Sequence, residues 1–231
     1  MCGRYTIKTN PNTIKEAFNV EIPEILEPNY NLAPTQNGLV ITADEPNIAQ
    51  QMHFGLVPFW AEDTKLNFST LNAKSEEVMD KKTYAPLIRN HKTCLVIADG
   101  FIEWDKKSGS SLPYLFFLKD QPVFAFAGLW SQWKSKDGEQ VYKSFTILTT
   151  EANEIVGKVH APKNRMPVIL DDYQYKLWLD KELGPTELLD LCQTYPDDKM
   201  DLFRLSTEIN AAVVKGAINN RPELILPINS Q

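Results

Sequence analysis

The stretch Cys94-Leu95-Val96-Ile97-Ala98-Asp99-Gly100-Phe101-Ile102-Glu103-Trp104 decides the fold class. β-Branched and aromatic residues crowd both sides of a single Asp-Gly pair, so 93–98 and 101–104 read as strands joined at Asp99-Gly100. The pattern repeats outward in both directions. Upstream, 38–43 and 48–54 are strands separated by the hairpin-like break Asp44-Glu45-Pro46-Asn47. Downstream, 113–118, 123–130 and 142–149 continue the series, with Asp137-Gly138 as a turn. Residues 27–34 are extended or turn-like, because a residue before proline is pushed out of the α region. Helical signals are fewer and shorter. They cover 12–18, 75 to about 89 with acids in its opening turn, 152–158, a segment capped by Asp171-Asp172 and running to about 180, and 185–193 with an early proline. A strand-like segment at 201–206 precedes an irregular end. Many antiparallel strands with peripheral helices, lacking regular strand–helix alternation, predict an α+β fold. One domain over 1–231 is expected.

Bulk properties narrow the function classes. Of 231 residues, 43% are hydrophobic and 23% charged, the range of a globular protein with a sizeable core. No apolar run is long enough for a membrane helix, and the start Met1-Cys2-Gly3-Arg4-Tyr5-Thr6 lacks the layout of a secretory signal, so a cytoplasmic location is expected. Three widely spaced cysteines and no C-x-x-C argue against a disulfide framework or a thiolate zinc site. His53, His91 and His160 have no metal-ligand spacing either, so neither metal nor cofactor is expected. The net charge of −6 argues against general polyanion binding. Any nucleic-acid contact must come from positioned cations rather than the average field.

Cys2 carries the most distinctive chemistry. Once Met1 is removed, it presents an α-amine and a thiol on a two-carbon frame. The reference values are about 7.7–8.0 for the amine and about 8.5 for the thiol, and a neighbouring cation such as Arg4 lowers the latter. Such a pair suits an aldehyde: the amine forms an imine, the sulfur adds to the same carbon, and a five-membered thiazolidine closes by proximity. Position alone also fits an incidental residue beside a terminus. Cys94 and Cys192, in an apolar strand and an amphipathic helix, read as small hydrophobes.

The surrounding motifs give Cys2 a context. Met1-Cys2-Gly3-Arg4-Tyr5, Tyr30-Asn31-Leu32-Ala33-Pro34-Thr35, Phe54-Gly55-Leu56-Val57-Pro58-Phe59-Trp60 and Leu71-Asn72-Ala73-Lys74-Ser75-Glu76 occur in order. They are followed by the 94–104 stretch, Phe126-Ala127-Gly128-Leu129-Trp130, Thr149-Thr150-Glu151-Ala152-Asn153, and His160 with Arg165-Met166-Pro167. Together they resemble the SRAP family (SOS-response-associated peptidase). Each motif is weak alone, but the ordered set is specific. Phe54 stands where the family pattern has Trp, Lys74 where it has Arg, and Ile97 and Ile102 where it has Pro and Tyr. The His160-to-Arg165 interval is longer than the common form.

The resemblance implies a strongly bent, largely antiparallel sheet approaching a barrel. It also implies self-removal of Met1 and a covalent cross-link between Cys2 and abasic sites in single-stranded DNA, engaged at the nucleoid. Protein partners are not specified. Around Cys2 it implies a catalytic set of Asn72, Glu103 and His160. A partly desolvated Glu103 would act as a general acid in loss of water from the carbinolamine; a solvated strand-end carboxylate is the bland reading. His160, titrating near neutrality, would protonate the opened sugar hydroxyl or assist reversal, or merely hold a loop. Asn72 would hold the amine or sulfur through its amide, or open a helix. Arg4, Lys74 and Arg165 are candidate phosphate contacts against ordinary surface solvation. Trp60 and Phe54 offer faces for base stacking, with core packing the preferred reading for Phe54. Trp130 and Trp178 are expected in the core. Two other functions share these residues: a thiol peptidase or amidase using Cys2 and His160, and a single-stranded DNA binding module with no covalent step.

Overall fold

The computed structural model describes residues 3–22, 25–107 and 109–228. The first half contains β1 (Tyr5–Ile7), α1 (Pro11–Phe18), β2 (Asn29–Leu32), β3 (Asn37–Thr42), β4 (Glu45–Phe54), β5 (Asn72–Lys74), α2 (Ala85–Arg89), β6 (Thr93–Ala98) and β7 (Gly100–Asp105). The second half contains β8 (Leu112–Leu118), β9 (Phe124–Lys134), β10 (Val141–Glu151), α3 (Glu154–His160), β11 (Arg165–Pro167), β12 (Ile169–Leu170), α4 (Asp172–Trp178), α5 (Pro185–Asp190) and β13 (Met200–Arg204). A small hairpin, Val213–Val214 with Ala217–Ile218, follows. Among the described residues no helix is long and apolar enough to cross a membrane.

The fold is α+β and mostly antiparallel, and its main sheet closes on itself. β4, β3, β6 and β9 pair in that order, and β10 joins both ends of the run, pairing antiparallel with β9 and parallel with β4. Closure removes the open edges that an isolated sheet would present. A ring this small holds no lumen and fills with side chains. Phe54 and Phe145 stack inside at 5.3 Å, and Tyr5 meets Phe54 edge-on at 5.7 Å and Phe126 at 6.0 Å. Gly128 on β9 is required by this crowding. A Cβ there would sit 2.7 Å from Val96 Cγ2 and 3.0 Å from the Thr146 carbonyl oxygen.

A second, five-stranded sheet runs β13-β8-β7-β1-β2, every pair antiparallel. Asp99-Gly100 is the corner between the two sheets: β6 ends in the barrel and β7 begins in the second sheet. β1 is an interior strand of that sheet, between β7 and the edge strand β2, with Tyr5 opposite both Phe101 and Leu32.

Two local expectations are corrected. The helix read through 75–89 is a 3-10 segment, Ser75–Asp80, followed by a separate α2. Pro86 has no amide hydrogen to donate in a helix interior, so it takes a first-turn position and a new helix starts there. The break read at 44–47 is tighter, with β4 already beginning at Glu45 and a bulge at Ile41/Thr42. Trp130 and Trp178 are buried, as expected of core residues.

Candidate functional site

Strand periodicity explains how a carboxylic acid comes to be buried. Successive side chains of β7 point to opposite faces. Ile102 enters a small cluster with Leu115, Leu205 and Ile209. Phe101 points the other way and stacks on Phe116 at 5.0 Å in the main core. Glu103 shares the face of Phe101 and is 3% exposed. Burial pushes its carboxyl up to about 7.

His160 arrives opposite it on α3. Asn153 caps that helix: its Oδ1 accepts from the Val156 N–H at 3.0 Å, while its Nδ2 donates to the Tyr195 carbonyl at 2.8 Å. Val156, Val159 and His160 follow helical spacing and form the buried face. The imidazole Nδ1 lies 2.7 Å from the Arg165 carbonyl oxygen. A carbonyl oxygen only accepts, so Nδ1 carries the hydrogen and Nε2 keeps its lone pair. That Nε2 faces Glu103 Oε2 at 3.5 Å. Burial pushes His160 down to about 4. This corrects the expectation of a histidine titrating near neutrality: at pH 7 the ring is neutral and accepts a proton rather than supplying one.

A cleft of about 270 Å³ opens onto this pair, lined by Gly3, Arg4, Glu103, Trp104, Lys106, His160 and residues 161–163. Cys2 lies outside the described residues; Gly3, bonded to it, forms part of the cleft wall. Asn72 is on β5 and lines a separate depression with Phe68, Ser69, Lys74 and Glu77. Its Nδ2 is buried and has no hydrogen-bond partner among the described residues. Glu103 and His160 are therefore brought face to face, and Asn72 lines a different depression.

The expected phosphate contacts are engaged within the protein. Arg165 forms a two-point pair with Glu76, Nη1 to Oε1 at 2.5 Å and Nη2 to Oε2 at 2.8 Å, and also donates to the Thr149 carbonyl at 2.6 Å. Burial alone would raise the Glu76 carboxyl, but the Arg165 hydrogen bonds and charge hold it below its ordinary value. Lys74 pairs with Glu77 at 2.5 Å. Arg4 Nη1 donates to Asn31 Oδ1 at 2.5 Å and to the Ile209 carbonyl at 3.0 Å, and Nη2 donates to the Asn210 carbonyl at 3.2 Å. Arg4 thus ties the first strand to the C-terminal segment. Phe54 is 0% exposed and stacked on Phe145, so base stacking by Phe54 is corrected: neither ring face is open. Trp60 is 48% exposed, in a loop that also exposes Phe59 (53%) and Phe68 (50%).

Asp99 was missed by sequence reasoning, which treated it as a turn residue. Its buried carboxylate accepts from Thr6 Oγ1 at 2.6 Å and from the backbone N–H groups of Lys8 (2.5 Å) and Thr9 (2.8 Å). It anchors the far end of β1, the strand that leads back to Gly3 and Cys2. Lys106 and Lys163 were missed as well, because their loops converge only in the folded chain. Burial pushes the Cys192 thiol up to about 12 and the Cys94 thiol above its ordinary value, as befits packing residues.

A buried acid thus faces an imidazole in a cleft whose wall includes Gly3 and Arg4, the residues that lead into β1 of the second sheet. Residues 1–212 match the family described as SOS response associated peptidase (SRAP), and the chain belongs to it. Abasic site processing protein YoqW of Bacillus subtilis (strain 168) is 38% identical over 232 residues, covering 97% of this chain and 99% of that protein. Abasic site processing protein HMCES of Gallus gallus is 29% identical over 233 residues, covering 87% of this chain and 66% of that protein. The fold matches a crystal structure of a protein from Bacteroides thetaiotaomicron with a TM-score of 0.88 at 23% identity, covering 99% of this chain and 100% of that one.

Proposed function

We propose that this chain captures abasic sites in single-stranded DNA covalently, through Cys2 freed by hydrolysis of the Met1–Cys2 peptide bond. The reading is carried by the buried Glu103–His160 pair, which opens onto a cleft walled by the residue bonded to Cys2. The names of the relatives, abasic site processing proteins, agree with it.

The chemistry follows from an aldehyde at C1′ of the opened sugar. The Cys2 amine adds to C1′, giving a carbinolamine. Glu103, protonated below about 7, gives its proton to the departing hydroxyl, and water leaves to form the imine. The thiol then adds across C=N, sulfur to carbon and proton to nitrogen, closing the thiazolidine. Neutral His160 takes up and returns protons through Nε2. The Asn72 amide, whose Nδ2 has no hydrogen-bond partner among the described residues, holds the reacting nitrogen or sulfur. Trp60 offers an exposed face to a base near the lesion. Return of the ring to an imine would permit strand cleavage by elimination.

The test is retention on abasic single-stranded DNA in a denaturing gel without reductant, wild type against Cys2→Ala, with intact mass of protein and adduct. The expected adduct weighs protein lacking Met1 plus oligonucleotide minus one water, and Cys2→Ala abolishes it. Undiminished retention by Cys2→Ala would reject the mechanism. Rapid turnover of a small amide without DNA retention would instead establish a thiol amidase.

A further inference from the structure

We infer that Lys106 and Lys163 form a two-sided clamp for one phosphodiester of single-stranded DNA at the mouth of the Glu103–His160 cleft. The inference rests on the DNA capture proposed above and names residues that set where the strand lies.

The two lysines come from different parts of the chain and line one cleft. Lys106 lies in the turn after β7, and Lys163 in the loop between α3 and β11. Both are exposed. The two lips are tied together: Lys107 Nζ donates to the Lys158 carbonyl at the end of α3. The Lys163 N–H donates to the His160 carbonyl at 3.1 Å, which couples its loop to the imidazole.

Charge accounting separates these lysines from the other cations near the site. Lys74 is neutralised by Glu77 and Arg165 by Glu76, and Arg4, in the same cleft, is turned onto Asn31 and the Ile209 and Asn210 carbonyls. Neither Lys106 nor Lys163 forms an ion pair among the described residues. In a chain of net charge −6, two such ammonium groups flanking one cleft favour a single anion between them. A phosphodiester fits, because ammonium groups act as point charges and need no planar partner. Both charges also act on Glu103 and His160, which places them near the reacting centre. Lys163 also borders a larger cleft of about 740 Å³, but that cleft carries Glu76, Glu151 and Asp190, which leaves the smaller cleft as the place for the phosphate.

The experiment uses single-stranded DNA carrying one tetrahydrofuran residue, which has no aldehyde, so only non-covalent binding is read. Affinity is measured by fluorescence anisotropy across a salt series for wild type, K106A/K163A and K106R/K163R. Loss of one neutralised phosphate lowers the slope of log K against log salt by about 0.7. The double alanine variant is expected to show that smaller slope and roughly tenfold weaker binding near 0.1 M salt, with the arginine pair restoring both. Wild-type slope and affinity in the double alanine variant would overturn the clamp, as would wild-type binding insensitive to salt. Covalent retention by wild type on aldehyde-bearing DNA is scored separately. If it is absent while the slope still changes, capture fails and the clamp stands.

Discussion

His160 Nε2 stands 3.5 Å from Glu103 Oε2, while its Nδ1 is committed to the Arg165 carbonyl 2.7 Å away. One backbone carbonyl thus chooses the tautomer and aims the lone pair at the buried acid. Burial moves the two groups in opposite directions, Glu103 up to about 7 and His160 down to about 4. Between those values both are neutral, so Glu103 holds a proton to give to a reacting group and His160 Nε2 holds a lone pair, with no charge buried at rest.

Glu103 acts as an acid only while protonated, so its advantage should fade as pH rises through about 7. Glu103→Gln is expected to slow single-turnover adduct formation roughly 10²–10⁴-fold at pH 6. The wild-type-to-variant rate ratio should then fall toward unity above pH 7. Using the ratio cancels titration of the Cys2 amine, which affects both proteins. A ratio independent of pH would remove Glu103 from the proton-transfer step.

The same shifts make stability depend on pH, with opposite signs. The Glu103 value is raised on folding, so its stabilising contribution is complete below about 4.5 and is lost as pH rises through about 7. The His160 value is depressed, so its contribution is present above about 6.5 and is lost as pH falls through about 4. Thermal unfolding across pH should show the alkaline decline flattened in Glu103→Gln and the acid decline retained. An unchanged alkaline limb would contradict the burial assigned to Glu103.

Asp99→Ala strips the acceptor from the Lys8 and Thr9 backbone N–H groups and from Thr6 Oγ1, and removes the partner of Lys8 Nζ at 3.3 Å. The expected loss is about 3–5 kcal/mol, the range for removing one partner of a buried charged network. Urea unfolding measures it. A loss below about 1 kcal/mol would show that β1 is held by sheet pairing without this anchor.

Asn31 is fully buried and its Nδ2 donates to carbonyls of Ile209, Ala211 and Asn219, while Oδ1 accepts from Arg4. Asn31→Ala should cost about 1–3 kcal/mol and loosen the C-terminal segment locally. Hydrogen exchange should quicken at 209–220 while the barrel strands β6 and β9 stay protected. Uniform acceleration across the whole chain would argue against a local clasp.

Gly128→Ala tests the tightness of the barrel wall. Its added methyl would meet Val96 Cγ2, Cys94 Sγ and the Thr146 carbonyl oxygen at 3.0 Å or less. Overpacking of this kind costs about 1–3 kcal/mol, readable as a lower urea midpoint. A midpoint equal to that of wild type would mean β9 shifts freely away from β6.

Strand content was legible from 94–104 outward because β-branched and aromatic runs broken by Asp-Gly and Pro pairs are local signals. Family membership was legible because it depends on the order of short motifs along the chain. The interruption at 81–84 was obscured by helix-like composition on either side. The true meaning of Asp99 was hidden because its partners are Thr6, Lys8 and Thr9, far away in sequence. Likewise, the Trp-like position 54 could face a ligand or the core, and only barrel closure against Phe145 makes it interior.

By itself the sequence determined the α+β class, the SRAP family and the residue types available for chemistry, since each depends on composition and spacing within short windows. Tertiary structure decided which groups meet: Glu103 with His160, Arg165 with Glu76, Arg4 with the C-terminal segment. It also decided their protonation, because an acid on a strand becomes a proton donor near neutrality only when other segments cover it and exclude water.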